Sequence, residues 1–133
     1  MINLITIEID LFEYQLLRQV TFRQNVMVTS HFKIHKSYTI TPEIIVATLF
    51  DSIFQVSAEN LKLSKAGIKK IKLHYYQAQA LFSILGLYTT NEVQCIRDKL
   101  DKGLTNWVPK KSSDSREEFY EFIYKLDNDF VIF

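Results

Sequence analysis

Ile5-Thr6-Ile7-Glu8-Ile9-Asp10 runs without a break into Leu11-Phe12-Glu13-Tyr14-Gln15-Leu16-Leu17. Isoleucine alternates with polar residues at a period of two, the mark of a strand buried on one face. Asp10 ends the alternation. Its carboxylate suits the orphan N–H groups of a first helical turn, and Glu13, three residues on, completes a capping box. Ile9 and Tyr14 occupy the two positions of a hydrophobic staple. The same grammar returns 64 residues later, where Lys70-Ile71-Lys72-Leu73-His74 leads into Tyr75-Tyr76-Gln77-Ala78-Gln79-Ala80-Leu81. Each copy is a short strand entering a helix, and each is followed by a second helical stretch. The pattern predicts two strand-helix-helix repeats, over 2–57 and 67–103, in a pseudo-twofold arrangement around one core.

The first helix extends far. Phe12, Leu16, Val20, Arg23, Met27, His31 and Ile34 recur at steps of three and four, which carries the helical period to about residue 35. A competing period of two runs through Val28, Ser30, Phe32, Ile34, Lys36, Tyr38 and Ile40, so residues 26–40 admit a strand reading as well. The next helix starts clearly. Thr41 caps, Pro42 sits at the first helical position where it loses no bond, and Glu43 suits the positive helix end. Ile45, Leu49, Ile53 and Val56 form its expected buried stripe, widened by Phe50 and Phe54. A face this broad predicts a helix packed between elements, or one that meets a partner.

Residues 57–67 read as a connection. After the second strand, Ala78, Leu81, Phe82 and Leu85 face inward, and Gly86 ends that helix. Thr89 and Glu92 read as a further capping box. Val93, Ile96 and Leu100 make the inward stripe, and Gly103 closes the helix. Residues 104–114 look like a linker to a C-terminal extension over 104–133. There Ser115 and Glu118 cap a last helix bearing Phe119, Phe122, Ile123 and Leu126 on one stripe and Tyr120 and Tyr124 on another. Phe130-Val131-Ile132-Phe133 is expected as a short edge strand or as a segment clamped by another chain.

With 133 residues, 47% of them hydrophobic, the chain has the size and the apolar content of a single domain over 1–133. Three glycines and two prolines are too few for an all-β fold built on tight turns. The expected class is therefore helix-rich α+β, with a small sheet covered by helices. A net charge of +1 gives no global attraction to nucleic acid or to an anionic membrane. A single cysteine excludes an intramolecular disulfide. The first residues lack the basic region of a signal peptide, and no apolar run approaches the roughly 18 residues of a membrane span. The expected location is cytoplasmic, or inside a phage particle. Abundant isoleucine, phenylalanine, lysine and tyrosine beside scarce alanine, glycine and arginine fit a low-GC genome, bacterial or phage.

Charge is uneven along the chain. Residues 62–74 hold Lys62, Lys65, Lys69, Lys70 and Lys72 and no acid. Such a strip suits phosphate contacts without sequence readout. It lacks arginine and interleaved aromatics, and cross-strand pairing of Lys70 and Lys72 with Glu8 and Asp10 is the structural alternative. His31 and His35 share a helix face at a metal-like spacing, but no third ligand accompanies them, so no metal or cofactor is expected. Cys95 reads as a small packing residue beside the Val93–Ile96–Leu100 stripe. Carboxylates are scattered, and phosphate-loop, dinucleotide, calcium-loop and serine-nucleophile motifs are absent.

What stands out is the aromatic C-terminal segment. Trp107, Phe119, Tyr120, Phe122, Ile123, Tyr124, Leu126, Phe130 and Phe133 are of the types that anchor interfaces. The function expected is a non-enzymatic protein–protein interaction or accessory module that self-associates. A nucleic-acid-associated protein using the lysine strip is the alternative.

Overall fold

Residues 4–35 and 41–107 are described by a computed structural model of the chain. Strand β1 (Ile5–Ile9) and strand β2 (Lys69–Leu73) pair antiparallel into a two-stranded sheet. Register is set by side-chain alternation. Ile7 lies opposite Ile71 and Ile5 opposite Leu73, so the buried faces of both strands coincide. Thr6 opposite Lys72 and Glu8 opposite Lys70 occupy the outer face. Among the described residues the fold is helix-rich α+β, with four α-helices accompanying this small sheet.

Helix α1 (Leu11–His35) follows β1, and helix α2 (Pro42–Ser52) follows α1. After β2 come α3 (Tyr75–Leu85) and α4 (Asn91–Asn106). Most helix starts are written locally. Asp10 N–H donates to Glu13 Oε1 at 3.1 Å, and Glu13 N–H donates to Asp10 Oδ1 at 2.8 Å. Thr41 Oγ1 accepts from Ile44 N–H, and His74 N–H donates to Gln77 Oε1. Before β2 the chain reverses tightly: Gly67 N–H donates to Ser64 O and Ser64 N–H to Ile68 O. Gly67 takes φ 76° there, a conformation that favours glycine.

One hydrophobic cluster joins the inner face of the sheet to the helices. It includes Ile7, Ile9, Tyr14, Leu17, Leu49, Phe54, Ile71, Leu73, Leu81, Leu85, Ile96 and Leu100. Burying each such side chain contributes about 1.5–3 kcal/mol. Four consecutive α2 residues, Ile44 to Ala47, are buried because α1 and α3 flank that helix. The breadth of the α2 face thus reflects a helix packed between neighbours. Helices α1 and α2 form an antiparallel hairpin tied at several levels. Tyr14 Oη donates to Val56 O at 2.7 Å, Arg18 Nη2 to Gln55 O, and Asn25 Nδ2 to Ala47 O.

Several sequence expectations need correction. Helix α1 does reach His35, and residues 36–40 lie outside the described residues. Its inward face, however, is Tyr14, Leu17, Val20, Thr21, Gln24 and Val28, while Phe12, Arg23 and Met27 point outward. Val56 is exposed, since α2 ends at Ser52 before the stripe reaches it. The cap of α4 is Thr90, whose Oγ1 accepts from Val93 N–H, one residue later than Thr89. Gly103 does not close α4, which continues to Asn106. A Cβ on Gly103 would stand 2.6 Å from Ile5 Cγ2, so glycine serves close helix-on-strand packing instead. The linker accordingly begins no earlier than Trp107. The C-terminal helix and strand expected over 115–133 lie outside the described residues.

Candidate interaction surface

The first helix is where polar anchoring and exposed apolar surface meet. Its start is fixed twice over. The Asp10–Glu13 box satisfies the first turn, and Lys99 Nζ of α4 donates to both Glu13 carboxylate oxygens, at 2.8 and 2.9 Å. The same ammonium donates to Glu8 O at 2.8 Å, so β1, α1 and α4 converge on one cation. Further along, Thr21 is fully buried but satisfied, its hydroxyl donating to Leu17 O at 2.8 Å. Tyr14 is fully buried, and burial pushes its phenol above the ordinary value while nearby Arg18 pulls the other way.

With α1 held this way, its outer face is presented to solvent. Phe12 is 54% exposed, Phe22 52%, Val26 46% and Met27 55%, with Leu11 beside them. At about 100° per residue these side chains share one broad face with Gln15, Gln19, Arg23 and Ser30. Leu11 and Phe22 mark one flank, Leu16 and Met27 the other. Phe22 is steadied from α2 by an edge-on contact with Phe50, ring centroids 5.1 Å apart. Arg18 lies over the Phe50 ring, 5.6 Å from its centroid. Only Arg23 brings a charge to this outer face.

The lysine strip is a second surface. Lys62, Lys65, Lys70 and Lys72 are exposed and Lys69 is half-buried, along the turn and strand that lead to α3. Glu8 stands opposite Lys70 in the register, yet no ion pair joins any of these lysines to another described residue. Asp10 lies beyond the paired residues and is engaged in the α1 cap.

Of the aromatic candidates only Trp107 is described. It is half-buried against the main core, its ring 4.5 Å from that of Tyr75. Phe119, Tyr120, Phe122, Ile123, Tyr124, Leu126, Phe130 and Phe133 lie outside the described residues. His31 is exposed on α1, His74 stands at the start of α3 and stacks on Tyr76, and Cys95 is on α4. Cys95 is exposed, not packed. It sits about 100–160° around α4 from Val93, Ile96 and Leu100, on the far side from the core. Among the described residues no three His, Cys, Asp or Glu side chains gather as metal ligands. Nor is any described helix long and apolar enough to cross a membrane.

No family model matches the chain, and no curated protein or solved structure is significantly similar to it. The outer face of α1 was not among the sequence-derived candidates. Its signal was present in the sequence as apolar residues surplus to any single helical stripe: Leu11, Phe12, Phe22, Val26 and Met27 accompany the inward set.

Proposed function

We propose that the protein is a non-enzymatic interaction module, an accessory or structural component that associates with itself inside the cell or a phage particle. The observation that supports this reading is the outer face of α1. Exposed apolar residues scattered singly are ordinary, whereas here five large ones share a single helix face. The aromatic segment from Phe119 to Phe133 is a further candidate contact, and Phe122 and Ile123 are its test positions.

The same reading treats the two strand-helix-helix units as a repeat within one domain. An offset of 64 residues superposes buried positions: Ile7 on Ile71, Ile9 on Leu73, Leu17 on Leu81 and Val20 on Ile84. It also superposes the Asp10–Glu13 box on His74–Gln77. Antiparallel pairing of the two strands is compatible with a pseudo-twofold relation between the units.

The test is the native mass by light scattering during size exclusion, across micromolar concentrations, with the 260/280 nm ratio followed through the peak. A dimer or larger species free of nucleic acid is the expected result. A monomer at every concentration overturns self-association. The second reading, a nucleic-acid-associated protein, is favoured by one observation: five lysines on one strip have no ion-pair partner among the described residues. It requires retention on nucleic acid that falls steeply with salt and is lost when Lys69, Lys70 and Lys72 become glutamate. Absence of retention at low salt rules it out.

A further inference from the structure

We infer that the lysine strip and the aromatic residues at its end form a binding site for single-stranded nucleic acid, with phosphates along the lysines and a base stacked at His74 and Tyr76. The inference rests on the nucleic-acid reading of that strip and names its ligand, and it is independent of self-association.

Order along one face of the sheet carries it. Side chains two apart on a strand share a face. Lys70 and Lys72 point outward while Ile71 and Leu73 are buried. His74 keeps an extended backbone, φ −67° and ψ 156°, so the alternation continues through it. Lys70, Lys72 and His74 therefore form one outer row about 13 Å long. The row ends on rings. His74 stacks on Tyr76, planes 6° and centroids 5.8 Å apart, and Tyr75 stands 4.5 Å from Trp107 at the same end of β2. All four rings are half-buried, so each is seated on the fold and still reached from solvent. At the other end, Ser64 N–H donates to Ile68 O and Gly67 N–H to Ser64 O. That reversal sets Lys62 and Lys65 about the start of β2, where Lys69 stands.

Charge and shape select the ligand. Across the sheet, Thr6 lies opposite Lys72 and Glu8 opposite Lys70, so Glu8 is the one acid among the paired outer residues. A row of ammonium groups tracks a chain of phosphates without reading its sequence. A lone phosphate needs one or two such groups, whereas five along one strip suit a polymer. The rings choose between single and paired strands. A base stacks on an aromatic side chain when its own face is free, which a single strand allows and a duplex prevents. A site from Lys65 to Tyr76 holds about four nucleotides, the low end for single-strand binding. With a net charge of +1 on the chain, attraction is local to the strip, and the dissociation constant is expected at about 1–100 μM.

The experiment titrates the full chain into three labelled probes of equal length at low salt, followed by fluorescence anisotropy. The probes are an oligo-dT strand, an abasic strand with the same phosphates and no bases, and a mixed-sequence duplex. Oligo-dT should bind about tenfold or more tightly than the abasic strand, and more tightly than the duplex. Lys70→Gln with Lys72→Gln should abolish that binding, and Glu8→Gln, which removes the opposing acid, should tighten it. Tyr76→Leu keeps apolar bulk against the core and should reduce oligo-dT to the level of the abasic strand, with circular dichroism unchanged. The comparison of oligo-dT with the abasic strand uses the unaltered chain, so it decides even where Tyr76→Leu does not fold. If the abasic strand or the duplex binds as tightly as oligo-dT, no base stacks and the inference falls, while the charge reading of the strip stands. If oligo-dT binding survives the paired lysine change, the site lies elsewhere and the inference falls. No binding of any probe at low salt overturns the nucleic-acid reading with it.

Discussion

Tyr14 is fully buried, and its hydroxyl donates to the Val56 carbonyl across the α1–α2 hairpin. Its folded pKa lies above the ordinary 10.0, chiefly through burial. The proton is thus held more tightly in the folded chain. The stabilisation is complete below the ordinary value and is lost as pH rises through it towards the folded value, because the unfolded state ionises first. Urea unfolding followed from about pH 8 to pH 11 should show this alkaline loss, and Tyr14→Phe should flatten it. The same variant leaves Val56 O without its donor and should cost about 1 kcal/mol near neutral pH. An unchanged alkaline slope would show that Tyr14 does not drive it. Gly103 makes the opposite point, that an absent side chain is also a contact. Alanine would gain about 1 kcal/mol in helix propensity. It would also place its Cβ against Ile5 Cγ2, an overpacking that costs about 1–3 kcal/mol. Gly103→Ala should therefore lower the melting temperature or leave it unimproved. Ile5→Ala, which removes that methyl, should couple to it non-additively in a double-mutant cycle. A clear gain in stability from Gly103→Ala alone would refute the packing role.

At the scale of elements, what was legible in the sequence was what local chemistry writes. Strand alternation in Ile5–Ile9, the Asp10–Glu13 box and the Thr41–Pro42 start each depend on residues within one turn, and each is found where the pattern placed it. What was not legible depends on neighbours distant in sequence. Apolar residues surround α1, so periodicity alone picked Phe12 and Met27 together with Val20, and only packing against α2 and the sheet separates them. Gly103 carried a stop signal that contact with Ile5 overrides. At the candidate surface, the lysine strip could be located from composition, whereas the outer face of α1 had no pattern of its own until the inner face was known.

Over the whole molecule, β1 is completed by partners far along the chain. Strand β1 pairs with β2 some sixty residues on, Lys99 of α4 donates to Glu8 O, and Gly103 receives Ile5. The α1–α2 hairpin, by contrast, is local. Synthesis on the ribosome proceeds from the N-terminus, so β1 leaves the exit tunnel well before β2 and α4 and waits for them. The α1–α2 hairpin is expected to form early, with its inward face still bare. The main compaction then comes as one late event, when the segment holding Lys99 and Gly103 has cleared the tunnel. A nascent-chain force profile should therefore show its principal peak only at lengths that release Gly103. A principal peak before β2 emerges would mean that the hairpin folds as an independent unit. Until that late release, nascent chains on one messenger expose apolar helix faces to one another, and the interval before α4 emerges is where aggregation competes with folding.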